Sequence, residues 1–215
     1  MAREGIPFVG GAVLLSLLCW LASDWIAALI YVSAAFGVLT AFVVFFFRDP
    51  ERTPPSVPGA ILSAADGKVI SIERLDEDEE YLEGPGIRVT VFLSVFNVHI
   101  NRIPMAGKVD FVDRRTGRFL VAYAPEASKE NQQSIIGISN GSSRLIVKQI
   151  VGIVARRIVC YLKAGDEVTL GRRFGLIRFG SRVDLILPEG VDLRVGVGDR
   201  VRGGETVIGV CLPNV

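Results

Sequence analysis

Two uncharged apolar runs at the start of this 215-residue chain constrain its fold more than any other feature. The first is Phe8–Ala22 (FVGGAVLLSLLCWLA). After Ser23 and Asp24, the second goes from Trp25 to Phe47. The second run has 23 residues, enough to cross the hydrocarbon layer with some tilt; the first is short for a full span. Together they read as a helical hairpin turning at Ser23-Asp24. Trp20 and Trp25 flank the turn, where interfacial aromatics sit. Arg3 lies at one end of the hairpin and Arg48 and Arg52 at the other, so a hairpin puts all three on one side of the membrane. The positive-inside rule makes that side cytoplasmic. Two alternatives stand beside a spanning hairpin. One is a cleaved signal peptide, disfavoured by a weakly basic start (Arg3 against Glu4) and the second apolar run. The other is a pair lying in the interface.

The rest of the chain is ordinary in composition. Mean hydropathy is +0.42, but most of the excess precedes Arg48. With 24 basic and 23 acidic residues, the chain lacks the concentrated positive charge of a nucleic-acid binder. Cys19, Cys160 and Cys211 are far apart and in apolar surroundings. They show no Cys-x-x-Cys or Cys/His metal spacing, and read as small buried hydrophobes in a reducing compartment. No metal is expected.

RDPERTPPSVPGA (48–60) has four prolines in thirteen residues and reads as an extended linker. The domain organisation expected is therefore a membrane hairpin over 1–47, a linker over 48–60 and a catalytic domain over 61–215. In the last, short runs bounded by glycine or charged turns predict strands at 67–74, 87–96, 107–112, 119–122 and 145–151. Further strands are predicted at 157–163, 176–179, 182–187 and 205–210. LDEDEEYLEG (75–84) reads as a solvated loop, and VARRIVCYL could be helical at one end. The fold class expected is mainly β, a barrel-sandwich-like domain behind a transmembrane or membrane-embedded helical hairpin. GVDLRVGVGDRVRGGETVIGV (190–210) has the look of a hairpin from small biotinyl- or lipoyl-type sandwich domains. SAADGKVISIERL and KAGDEVTLG (163–171) echo its halves.

His99 is the only histidine, so imidazole acid–base chemistry must use it or do without. It sits in FNVHINRIPMAG (96–107). Asp66 lies in SAADGKV (63–69), and Gly180-Ser181 in RFGSRVDL (178–185). Taken singly, each has a structural explanation: an Asp-Gly turn, a histidine at a strand end, a Gly-Ser bend. Gly141-Ser142-Ser143 is a competing Gly-Ser site.

Taken together, SAADGKV, NVHINRIP and the late Gly-Ser, with RDPER after an apolar hairpin, resemble the phosphatidylserine decarboxylase family, in its short branch. APEASKENQQS (124–134) and QIVGIVARRIVCYL (149–162) extend the likeness over nearly the whole chain. The resemblance implies an inactive proenzyme that breaks itself between Gly180 and Ser181. A β chain (1–180) and an α chain (181–215) would result, held together as a heterodimer. Ser181 would become a covalent pyruvoyl group at the start of the α chain, and the Schiff-base site for the substrate amine. The family's acid and histidine map to Asp66 and His99. His99 would take the Ser181 proton and later protonate the decarboxylated carbon, with Asp66 orienting the imidazole. The cofactor implied is pyruvoyl alone, with neither metal nor pyridoxal phosphate. The partners implied are the membrane and a phosphatidylserine-type lipid, diacyl or ether-linked; a higher oligomer remains open. The chain would sit on the cell membrane with its catalytic domain in the cytoplasm. Arg102, Arg172, Arg173 and Arg178 are candidates for the lipid phosphate, or plain surface charges. Two departures from the family stand out. FGSR replaces the better-known LGST at the cleavage motif, and Phe96 occupies the place of a second histidine in the longer branch.

Two other classes compete. A membrane-anchored serine hydrolase could use Asp66, His99 and Ser181, but no G-x-S-x-G elbow is present. A non-enzymatic sandwich-domain carrier or adaptor would need a lysine at the hairpin tip, and 190–210 has none.

Overall fold

The computed structural model describes residues 1–75, 81–124, 126–141, 143–153, 157–178 and 181–211. The acidic run past Leu75, Ser142, the first residues of VARRIVCYL, Phe179 and Gly180 fall outside these. The chain divides into two compact units, Met1–Glu51 and Arg52–Val215.

The first unit is a two-helix hairpin. A 3₁₀ turn (Arg3–Gly5) leads into α1 (Ile6–Ala22), and α2 is Leu29–Phe46. Both helices are long and apolar enough to cross a membrane. They carry Leu14, Leu17, Leu18, Trp20, Leu21 and Val38 facing outward. A helix apolar all round belongs in lipid or in a protein core. Small residues let the helices approach: Ser16 Oγ donates to Ser33 O at 2.9 Å and Ser33 Oγ to Ser16 O at 2.8 Å. Ala2 N donates to Phe47 O at 2.8 Å and closes the open end.

The second unit is mainly β. Its strands are β1 (Ala60–Leu62), β2 (Gly67–Leu75), β3 (Gly86–Leu93), β4 (Ile100–Arg102), β5 (Gly107–Arg115), β6 (Gln133–Ser139) and β7 (Arg144–Val151). After these come β8 (Ile158–Cys160), β9 (Glu167–Val168), β10 (Arg173–Ile177), β11 (Ser181–Pro188), β12 (Val191–Leu193), β13 (Arg200–Val201) and β14 (Val207–Cys211), with one short helix, α3 (Ala127–Glu130). Eight strands form one antiparallel sheet in the order β13-β2-β3-β11-β7-β6-β5-β9. Two three-stranded sheets, β1-β14-β12 and β4-β10-β8, complete the unit. Val201 on one edge strand and Val168 on the other join the same buried cluster as Val91, Val147 and Val183 from the middle. A sheet whose two edges share one core must curl. Bulges between Val69 and Ser71 and between Val109 and Phe111 supply the local bend.

The echo in the sequence is a structural repeat. Val69 N donates to Asp199 O and Gly198 N to Val69 O, at 2.9 and 2.8 Å. In the other half, Val109 N donates to Asp166 O and Gly165 N to Val109 O, at 2.8 and 2.7 Å. The aspartates cap their own turns alike, Asp199 Oδ2 on Gly196 N and Asp166 Oδ2 on Lys163 N. The two Gly-Lys-Val segments that begin β2 and β5 thus occupy matching places, and where the first copy has Asp66 the second has Ala106. The repeat is not the single two-stranded hairpin that 190–210 suggests, because β12 pairs with β14 while β13 leaves to pair with β2.

Two sequence expectations shift. The run 119–122 is not a strand; it belongs to a connection held by side chains. β6 went unpredicted: in QSIIGIS a glycine and polar ends break the apolar run, yet the strand is buried on both faces. The strand expected at 157–163 is present as Ile158–Cys160, and the first residues of VARRIVCYL, the end that could be helical, lie outside the described residues.

Candidate active site

Asp66, His99 and Ser181 are far apart in sequence and meet at one end of the large sheet. β2, β3 and β11 are neighbours in it. Asp66 directly precedes β2, whose Lys68 pairs with Phe92 near the end of β3. Ser181 opens β11 and pairs with Leu93 on one side and Val151 on the other. His99 lies beyond the end of β3, and its Nε2 is 3.1 Å from the carbonyl oxygen of Ser94, the residue after Ser181's partner. Ile177 N, near the end of β10, donates to His99 O. All three side chains are buried, with residue exposures of 8, 3 and 0% for Asp66, His99 and Ser181.

Each is held differently. A carbonyl can only accept, so His99 Nε2 carries the hydrogen in its bond to Ser94, and in the neutral ring Nδ1 holds the lone pair. Asp66 is gripped by a guanidinium fork: Arg52 Nη1 to Oδ1 at 2.6 Å and Nη2 to Oδ2 at 2.8 Å. Gly203 N also donates to Oδ1, at 2.9 Å, and Arg52 Nη1 bonds Gly203 O at 2.8 Å. The fork and amide fill both lone pairs of Oδ1 and one of Oδ2. A ring N–H has only the remaining Oδ2 lone pair to reach. Ser181 Oγ is buried and has no hydrogen-bond partner among the described residues. An unsatisfied buried hydroxyl costs about 1–3 kcal/mol, a strain that a reactive position tolerates.

Strand alternation decides what surrounds Ser181. Ser181, Val183, Leu185 and Leu187 face the main core, while Arg182, Asp184 and Ile186 face the other side. On Ser181's face the next strands carry further polar side chains. Gln149 (β7) and Ser134 (β6) are direct cross-strand partners, and Gln149 Nε2 donates to Asn101 Oδ1 at 2.8 Å. Among the described residues Gln149 Oε1 is buried without a hydrogen-bond partner, and Ser134 Oγ faces the Cys160 thiol. Cys160 lines the same interior, and burial pushes its thiol pKa up. On the opposite face, Arg182 forks onto Asp184 at 2.6 and 3.0 Å and also reaches Thr90 Oγ1 and Ala124 O. Ser128 Oγ donates to Asp184 as well. This network fastens the 120s segment to the back of β11, beneath Ser181.

Sequence reasoning missed Arg52, Gln149 and Ser134. Arg52 carries no local signal, being one charge in a proline-rich stretch. Gln149 leaves a faint one, a glutamine inside the apolar run LIVKQIV. Of the four candidate arginines, Arg102 is buried and donates to Gly171 O, and with Arg172 and Arg173 it lies at the far end of β10. Arg178 lies three residues before Ser181, its N–H on Arg157 O. A groove of about 630 Å³ lies at the opposite end of the sheet, against Asp110, Ser139 and Arg144. There the Tyr81 hydroxyl donates to Asp110, which holds that carboxyl below its usual range.

Comparison with known proteins agrees with the resemblance read from the motifs. The family model described as phosphatidylserine decarboxylase matches residues 39–209, a span containing all three residues. The phosphatidylserine decarboxylase proenzyme of Desulfotalea psychrophila is 45% identical over 210 residues, 97% of this chain and 95% of that protein. The proenzyme of the same name from Geobacter metallireducens is 43% identical over 98% of this chain and 96% of its own. That from Salinibacter ruber is 46% identical over 79% of this chain and 75% of its own. With a family model over most of its length and relatives of this identity over nearly all of it, the chain belongs to the phosphatidylserine decarboxylase family.

Proposed function

We propose that this protein decarboxylates phosphatidylserine to phosphatidylethanolamine, after cutting itself between Gly180 and Ser181. The observation that carries this reading is the convergence, at one end of one sheet, of a buried hydroxyl without a partner among the described residues, the chain's single histidine and a fixed carboxylate.

Self-cleavage follows from the chain's own groups. Ser181 Oγ is a poor nucleophile until a base takes its proton. His99 is that base, its lone pair at Nδ1 and its other nitrogen tied to Ser94 O. Attack on the Gly180 carbonyl carbon forms an ester and breaks the peptide C–N bond, and the Ser181 nitrogen takes the proton. Loss of the Ser181 α-proton expels the Gly180 carboxylate and leaves dehydroalanine. Water then converts that to a pyruvoyl group and ammonia. Asp66 stabilises the imidazolium formed on the way.

The site fits such a group: Ser181 is fully buried at a strand start, facing the polar lining of Gln149, Asn101 and Ser134. When formed, the pyruvoyl group supplies an electron sink for loss of carbon dioxide from an amino acid head group. His99 returns a proton to the carbon that loses it. Arg178 stands nearest to meet the lipid phosphate. The apolar hairpin holds the enzyme at the bilayer where the substrate resides, with the catalytic domain on the cytoplasmic side.

Intact-mass measurement of the purified full chain tests this. Wild type should give two chains, the smaller covering 181–215 and blocked at its N-terminus, and Ser181→Ala should stay whole. A folded wild type that remains one unmodified chain would refute it and favour a hydrolase that keeps its serine.

A further inference from the structure

The exposed apolar side chains of the second unit are unevenly placed. Among the described residues it exposes nine large ones: Val57, Val95, Phe96, Phe119, Val121, Tyr123, Ile153, Tyr161 and Val197. Six of these lie in three connections at the Ser181 end of the sheet. Val95 and Phe96 follow β3, Phe119, Val121 and Tyr123 lie between β5 and β6, and Ile153 follows β7. Phe96, Tyr123 and Ile153 are 67, 65 and 59% exposed. The connections at the opposite end, 82–85, 140–143 and 189–190, expose none among their described residues.

The middle segment is fastened beside the site. The Tyr123 ring meets Phe92, next to Ser181's partner Leu93, with centroids 6.3 Å apart. Asn131 clamps the second segment: its side chain bonds Leu120 N and O, each at 2.9 Å, and Val151 O at 2.8 Å. Val151 is Ser181's other partner. Arg182, beside Ser181, holds Ala124 O. Thus residues flanking Ser181 in the sheet also anchor the apolar 119–124 segment. The exposed Arg157 stands on the same rim, its carbonyl bonded to Arg178 N.

We propose that this rim docks the catalytic domain on a bilayer containing anionic phospholipid. Phe96, Tyr123 and Ile153 enter the interface and set the Ser181 site against the head groups. The inference rests on the lipid reading above and adds a second membrane contact, separate from the hairpin. Two observations favour a lipid surface as the occupant. An exposed apolar patch with the exposed Arg157 on its rim suits an anionic interface. A buried reactive serine that must meet a membrane lipid also needs its mouth at the bilayer, since the acyl chains do not leave it. Chemically, the rim shortens the path by which a head group is raised to Ser181, and it does no chemistry itself.

The test uses the full chain in phosphatidylcholine vesicles and follows carbon dioxide release from two substrates. One is long-chain phosphatidylserine in the same bilayer; the other is dihexanoyl phosphatidylserine dissolved as monomers. The variant carries Phe96→Ser, Tyr123→Ser and Ile153→Ser together. It should self-cleave as wild type does and keep the monomer rate within about twofold. Its rate on the bilayer substrate should fall at least about tenfold, as three interfacial side chains lose their apolar burial. Equal losses on both substrates, or no loss on either, overturn the docking role. Wild type inactive on both overturns the lipid reading beneath it as well.

Discussion

Arg52→Ala is the substitution on which the geometry speaks most plainly. Arg52 and Asp66 are nearly buried, with side chains 7 and 12% exposed, and three Arg52 contacts of 2.6–2.8 Å vanish together. What remains on the Asp66 carboxylate is the Gly203 amide. Removing one partner of a buried pair costs about 3–5 kcal/mol, because the other charge stays buried without compensation. In a domain of 150–250 residues each kcal/mol moves the midpoint by about 2–4 °C, so the apparent Tm should fall by roughly 6–20 °C. Thermal melting of the full chain in detergent measures this, with Ser181→Ala as background so that cleavage does not confuse the comparison. The double variant Arg52→Ala, Asp66→Asn removes the orphaned charge and should regain about 1–3 kcal/mol of the loss. A single variant melting within about 2 °C of the background would show that the bridge contributes little. Strict additivity in the double variant would show that the two side chains do not interact.

Two further outcomes follow from packing and burial. Gly67→Ala places a Cβ 2.2 Å from Phe92 O and 2.9 Å from Val91 Cγ1, so β2 must move off β3 at the mouth of the site. A loss of about 1–3 kcal/mol or more in urea unfolding is expected, against no change for Gly84→Ala, whose Cβ meets nothing within 4 Å. Burial raises the Cys160 thiol pKa, so its thiolate is scarcer at neutral pH than an ordinary cysteine's. Iodoacetamide should therefore label it far more slowly in the folded protein than in urea, and a native rate equal to the unfolded one would contradict the placement.

The hairpin was legible because its signal is local: a long uncharged run has few options besides a helix. Strands such as β2 and β7 announced themselves through apolar runs ending at glycine or charge. β6 did not, and the 119–122 run misled, since an apolar stretch can equally be an exposed rim. The site was legible as residue types, through motifs that keep Asp66, His99 and Ser181 recognisable. The aspartate's partners were not: Arg52 lies fourteen residues upstream in a linker, and Gly203 lies 137 residues downstream, past the edge strand that pairs with β2.

The chain's order alone determined an apolar helical hairpin, a β-rich domain and a family, because these depend on hydropathy, turn residues and short motifs. Strand order was decided only in three dimensions. Curling eight strands so that both edges share one core puts β2, β3 and β11 side by side, and that adjacency assembles the three residues. It also directs Ser181 toward the interior while Arg182 faces the back, a choice set by pairing register, which moves every side chain to the opposite face if it slips by one residue.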